Sequence, residues 1–283
     1  MALIPARIRY RLTSVEPPTE FKRRMEDRLQ RWYRGKDPHP DPALQRRRLS
    51  VAALTNKTAM RAYAQQMNLP LPERYAEAAD VDGLDIPALP QRVVIKPDNL
   101  SSNKGVLLFD GETEVFSGDT VPMSERGAYV KRRMDPLISA KPATRLIAEE
   151  FLKDSDPGKV IPRDFKTFVA GGRTHVIKVV DRNGKAGTTM ERYYRRTWKP
   201  YRDLQYSNGL APPIPRPERY EDLLDLSDRI ARDIQCFMRL DFYITQRGVV
   251  FGEFTSYPNA GNKHTARGSR VFCDLMDRYP DPF

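Results

Sequence analysis

Asp241 and Glu253 stand in two runs, RLDFYIT and VVFGEF, that alternate like half-buried strands. Between them Gln246-Arg247-Gly248 suits a three-residue turn closed by a left-handed glycine, which pairs Thr245 with Val249. In that register Asp241 falls opposite Glu253, and Arg239 falls opposite Thr255. Directly opposed side chains put their Cβ atoms roughly 4.5–5.5 Å apart on one face. The other face, made of Leu240, Phe242, Ile244, Val250, Gly252 and Phe254, is apolar and fits a core. Two carboxylates that close repel unless a proton or cation lies between them. A Mg²⁺ ion is one resolution, because hard cations take carboxylate oxygens. An exposed acidic pair partly neutralised by Arg239 is the other. A slip of one residue would send one carboxylate to the core face.

Three further features could serve the same chemistry. Lys96 ends the apolar run VVIKP, so its ammonium should emerge at a strand terminus. Ser101-Ser102-Asn103-Lys104-Gly105 is a small polar loop of the kind that can turn N–H groups and a lysine toward phosphates, or simply be a turn. Glu149-Glu150-Phe151-Leu152 places acids and an aromatic where a base could stack.

The elements that must hold these residues read as follows. Phe21, Met25, Leu29 and Trp32 recur at helical spacing, and KDPHPDP ends that helix. A second helix over 56–67 closes in LPLPE. Strands are predicted at 92–97, 105–110, 128–134, 146–152, 164–169 and 174–181, and a helix at 219–236. Strands outnumber helices, so the class is α+β, with two sub-domains meeting near 145–150.

The chain of 283 residues carries a formal charge of +11 and is 40% hydrophobic, enough for a core. Residues 1–48 hold 13 Lys/Arg against six Asp/Glu, which is +7 of that excess. Such an arm is either a docking surface for a polyanion or a solvated face whose neutralising acids lie elsewhere. No apolar run is long enough to span a membrane. The opening MALIPARIRYRL lacks a secretory pattern, and Cys236 and Cys273 have no metal-ligand company. A cytoplasmic protein is expected. His39, His175 and His264 are too scattered for a triad or metal site.

In their order along the chain these motifs resemble the ATP-grasp superfamily over about residues 51–262. IPRDFKTFVAGGR and VVFGEFTSYPNAG are most similar to its teichuronopeptide-biosynthesis (TupA-like) branch. The resemblance implies two α+β sub-domains clasping ATP: a basic helical arm over 1–50, a first sub-domain over 51–145, and a second over 146–283 with the metal site. It implies that Lys57 opens the nucleotide domain, that Lys96 contacts the nucleotide, and that Ser101, Ser102, Asn103, Lys104 and Gly105 cover its phosphates. Glu149, Glu150, Phe151 and Leu152 would form the hinge against adenine. Asp164 would hold the ribose, and Lys166 would lie near the phosphates. Asp241 and Glu253 become Mg²⁺ ligands and Arg239 the stabiliser of developing charge. The family's asparagine two residues after the glutamate is Thr255 here, so Thr255 or Asn259 would supply a third ligand.

The implied activity is ATP- and Mg²⁺-dependent carboxylate–amine ligation through an acylphosphate, on an acidic sugar or amino-acid substrate with an amine acceptor. A kinase on the same fold is the alternative, and a nucleic-acid-binding protein with a degenerate ATP site is a more distant one. Many such ligases carry a further domain ahead of the nucleotide domain. Here the basic arm, with Arg192, Arg195 and Arg196, would supply acceptor recognition, and a homodimer could complete the pocket.

Overall fold

The computed structural model describes residues 19–100, 104–141, 144–184, 188–202 and 204–283. The arm forms α1 (Glu20–Tyr33), capped by the Thr19 hydroxyl, and buries Phe21, Met25, Arg28 and Trp32. The expected stripe is present, with Arg28 buried where Leu29 was expected. Helices α2 (Pro42–Ala53) and α3 (Lys57–Gln66) follow, capped by the side chains of Asp41 and Asn56.

Strands β1 (Arg74–Ala78), β2 (Val93–Pro97), β3 (Leu107–Asp110), β4 (Thr113–Glu114) and β5 (Leu146–Glu150) make a first sheet in the order β1-β5-β2-β3-β4. The segment 128–134, expected as a strand, lies instead within helix α4 (Arg126–Ala140). Its apolar residues Tyr129, Val130 and Met134 are spaced for a helix and pack against Val93, Ile95, Phe109 and Ala148. The boundary expected at 145/146 therefore falls just ahead of a strand that belongs to the first sheet. Helices are also more numerous than expected: six exceed eight residues among the described residues.

The second sheet contains β6 (Asp164–Ala170), β7 (Arg173–Asp181), β8 (Met190–Arg195), β9 (Gly209–Leu210), β10 (Met238–Thr245) and β11 (Gly248–Thr255), in the order β11-β10-β6-β7-β8-β9. One face is apolar. Phe165, Ile177, Leu240, Phe242 and Phe251 pack there against α5 (Tyr220–Ile234), with Val51, Ala52 and Ala64 of α2 and α3 closing the same core. Helices α1 and α6 (Ala266–Arg278) cover one end of the opposite face, where Phe21, Phe168, Tyr193 and Phe272 cluster. The rest of that face carries charge. Cys236 and Cys273 are free and buried. No described helix is long and apolar enough to cross a membrane.

Candidate active site between the two sheets

The hairpin reaches the expected pairing by an unexpected route. Thr245 pairs with Gly248, so the turn has two residues rather than three, and a bulge between Asp241 and Phe242 restores the offset. Asp241 then stands opposite Glu253 and Arg239 opposite Thr255. The bulge also changes the core face. Val249 and Phe251 join Leu240, Phe242, Ile244 and Phe254 in this core cluster, while Val250, also buried, and Gly252 lie outside it. Gly252 lies in the bulge, where a Cβ would sit 3.2 Å from the Asp241 carbonyl and from the Tyr243 ring.

One rung of the sheet runs Glu253–Asp241–Lys166–Lys178–Tyr193 across five strands. Arg239 Nε donates to Asp241 Oδ1 at 2.6 Å and Arg239 Nη2 to Asp241 Oδ2 at 2.8 Å. Arg239 Nη2 also reaches Glu253 Oε1 at 3.3 Å, and Lys166 pairs with Asp241 Oδ2. Burial alone would raise the Asp241 carboxyl, but Arg239 and Lys166 hold it well below the usual carboxylate range. For Glu253, desolvation and the facing Asp241 push the pKa up. On the next rung Asp164 lies 3.3 Å from Lys166 and 2.6 Å from Arg182 Nη1. Burial works against the Asp164 charge, yet these cations keep its pKa lowered.

From the first sheet, Lys96 pairs with Glu149 on the face away from that sheet's core. Lys57 Nζ donates to the Pro97 carbonyl at 2.7 Å. Burial, then Lys96, push its pKa down to about 8 against the pull of Glu253 and Glu149, so charges of both sheets meet at Lys57. Gly105 adopts φ +71 at a point where a Cβ would stand 2.6 Å from Leu137, and Lys104 is exposed beside it. Ser101, Ser102 and Asn103 lie outside the described residues.

Residues 150–152, expected to form a hinge, are held by partners the sequence did not display. Phe151 joins Val94 and Leu108 in a small apolar cluster, with Val106 and Ile161 beside it. Arg92 stacks 4.0 Å above the Phe151 ring and donates to the Phe151 and Leu152 carbonyls at 3.2 and 3.4 Å. Glu150 accepts a fork from Arg247 in the hairpin turn, at 3.2 and 2.7 Å, and so is drawn to that turn. Asn259 sits exposed in a short turn over Pro258–Gly261, with no contact to Asp241 or Glu253 among the described residues. The described residues contain no cluster of three or more His, Cys, Asp and Glu side chains able to hold a metal ion.

Arg192 and Arg195 both reach Tyr201, at its carbonyl and its hydroxyl, while Arg196 is engaged elsewhere. Arg192 donates to the Ala211 carbonyl, Arg195 lies over Tyr201, and Arg196 pairs with Asp228. Sequence reading also missed Lys178. This buried lysine joins Glu191 and Gln205, each at 2.7 Å, and burial lowers its pKa to about 8 despite the acid. Its signal was available, because VIKVV embeds a lysine in an apolar strand just as VVIKP does.

A family model described as TupA-like ATPgrasp matches residues 43–270. No curated protein matches the chain. Among solved structures, D-alanyl-alanine synthetase A from Vibrio cholerae superposes with a TM-score of 0.50 at 11% identity, covering 82% of this chain and 67% of that one. D-alanine–D-alanine ligase from Bacillus anthracis, complexed with ATP, gives 0.49 at 12% identity, with 82% and 66% covered. The Helicobacter pylori D-alanine–D-alanine ligase gives 0.48 at 14% identity, with 81% of this chain and 61% of that one covered. The chain thus spans 61% of the length of the Helicobacter pylori enzyme. At these identities the likeness is one of fold.

Proposed function

Because the chain belongs to the TupA-like ATP-grasp family, we propose that it is an ATP-dependent ligase that joins a carboxylate to an amine through an acylphosphate. The observation that carries this reading is the Asp241–Glu253 rung, with Arg239 and Lys166 on the same sheet face.

The donor set suits Mg²⁺. Two opposed carboxylates, one with a half-exposed side chain, and a hydroxyl on the adjacent rung are hard oxygen ligands. Asp241, Glu253 and Thr255 would hold the ion, which when bound supplies neutralisation of phosphate charge. Asn259 is the less favoured third ligand, because it contacts neither carboxylate among the described residues.

The protein's own groups divide the remaining work. Arg239 is part-buried, and desolvation alone would weaken its charge, but Asp241 and Glu253 hold it firmly cationic. It would present a fixed positive charge to the tetrahedral centre formed when the amine attacks. Lys96, Lys166, Lys57 and loop residues 101–105, Lys104 among them, would bind phosphate oxygens. Val94, Leu108 and Phe151 would face the base, with Glu149 orienting Lys96 and the hinge backbone at Glu150 to Leu152 alongside. Asp164 would accept from the ribose while sharing Lys166 and Arg182. An acidic sugar or amino acid is the proposed carboxylate substrate.

Phosphorus NMR of the protein with Mg·ATP and pooled acids and amines tests the proposal. ADP and free phosphate should appear only when an acid and an amine are both present. A new phosphomonoester would make the protein a kinase, and intact ATP with every pool would remove the ligase reading.

A further inference from the structure

We infer that a cavity between α1, α2 and residues 281–283 is a binding site for a small oxyanion, a phosphate or carboxylate group. It has a volume of about 280 Å³, and none of its lining residues belongs to the candidate active site. Arg31 of α1, His39 of the following loop and Arg48 of α2 all face it.

Arg48 carries the inference. The residue is 3% exposed, and its Nη1 donates to the Asp37 carbonyl at 2.9 Å. Its Nε is buried without a hydrogen-bond partner among the described residues. Buried guanidinium N–H groups are costly to leave unmatched, so Arg48 is an under-satisfied cation at the wall of the cavity. Arg31, whose Nε pairs with Asp27 at 2.9 Å, brings a second guanidinium to the same cavity. Burial and then this like charge weaken the Arg48 cation, a strain that a bound anion would relieve. His39 adds a donor: its Nδ1 accepts from the Asp41 N–H at 3.0 Å, so in the neutral ring Nε2 carries the hydrogen.

Two acids also line the cavity and offset part of this positive charge. Asp281 is already spent, its Oδ2 on Arg28 and its Oδ1 on the Phe237 N–H at 2.9 Å. Asp37 is exposed, where solvent screens its charge.

The test titrates the full chain with sodium phosphate, and separately with sodium malonate, at constant ionic strength against chloride. The readouts are thermal unfolding and tryptophan fluorescence. Trp32 reports locally, because its ring lies 5.8 Å from that of Phe283 at the cavity wall. A saturable rise in Tm with a fluorescence change is expected for at least one anion, and the responding one identifies the ligand as phosphate-like or carboxylate-like. Arg48→Met should abolish the response. Arg31→Gln, at a side chain 39% exposed and so safe for folding, should weaken affinity about tenfold. No saturable response to either anion overturns the inference. So does a response that Arg31→Gln leaves unchanged, as an anion in the nucleotide cleft would give.

Discussion

Asp241 and Glu253 face each other across one rung, yet they are bound to the fold very differently. Asp241 is 3% exposed and holds two part-buried cations, while the Glu253 side chain is 51% exposed. Removing the Asp241 charge leaves Arg239 and Lys166 under-compensated, a loss of about 3–5 kcal/mol when one partner of a buried pair is taken away. Because the folded pKa of Asp241 is depressed, that stabilisation is present above the unfolded carboxylate value, about 3.9, and is lost as pH falls below it. Urea unfolding of wild type and Asp241→Asn should therefore show a wide gap at pH 7 that starts to narrow below about pH 4 and closes only as pH falls through the depressed folded value. A gap constant with pH would mean that packing, not charge, sets the difference. Glu253→Gln should behave oppositely, changing stability by under about 0.5 kcal/mol. Its turnover should nevertheless fall by about 10²–10³-fold, the scale of a lost charge-stabilising group. Near-normal turnover in a folded Glu253→Gln protein would remove that residue from the proposed metal site.

The hairpin shows how far elements were legible. Its carboxylate pairing was readable from alternation, but the turn was not, and the two-residue turn and the bulge offset one another in the final register. Turn length is set locally, whereas the bulge depends on the close approach of β10, which one strand's sequence does not display. Helix α4 failed for another reason. AYVKRRM is short enough that its polar and apolar residues fit either period, and only the longer stretch to Ile138 resolves it. Residues 149–152 were readable as a group of two acids and two apolar side chains. The engagement of its carbonyls by Arg92 and of Glu150 by Arg247 was not, since both partners lie far away in sequence. The bulge itself is testable. Gly252→Val places a branched side chain against the Asp241 carbonyl and the Tyr243 ring, at a cost of about 1–3 kcal/mol. Urea unfolding should show that loss together with reduced turnover, because β11 must shift and carry Glu253 with it. An unchanged midpoint would show that the strand relaxes freely there.

At the scale of the molecule, the described part of the basic arm is packed and its cations are extensively paired. Lys22, Arg23, Arg24, Arg28, Arg31 and Arg47 each lie beside an acid, several of them from the far end of the chain. Glu20, Glu26 and Asp27 already count within the +7, so it is Asp233, Asp277 and Asp281, from outside the arm, that offset part of it. The pairs are not equal. Arg24 meets Asp277 at the surface, with Asp277 61% exposed, where screening and side-chain entropy leave about 0–1 kcal/mol. Arg28 is 1% exposed and does more than pair with Asp281. Its Nη1 donates to the Phe237 carbonyl at 2.7 Å, and its guanidinium lies 4.2 Å over Trp32. It also reaches the Ser256 carbonyl at 3.4 Å, so one side chain ties α1 to both open ends of the β10–β11 hairpin and to the tail. Arg28→Met should therefore cost about 3–5 kcal/mol, largely insensitive to salt because the pair is desolvated. A double-mutant cycle of Arg28→Met with Asp281→Asn should give a coupling above about 1 kcal/mol in both low and high salt. The matching cycle of Arg24→Met with Asp277→Asn should give less, and fade as salt rises. Equal couplings for the two cycles would show that burial does not distinguish them, and that Arg28 is one more surface charge rather than the tie between the arm and the site.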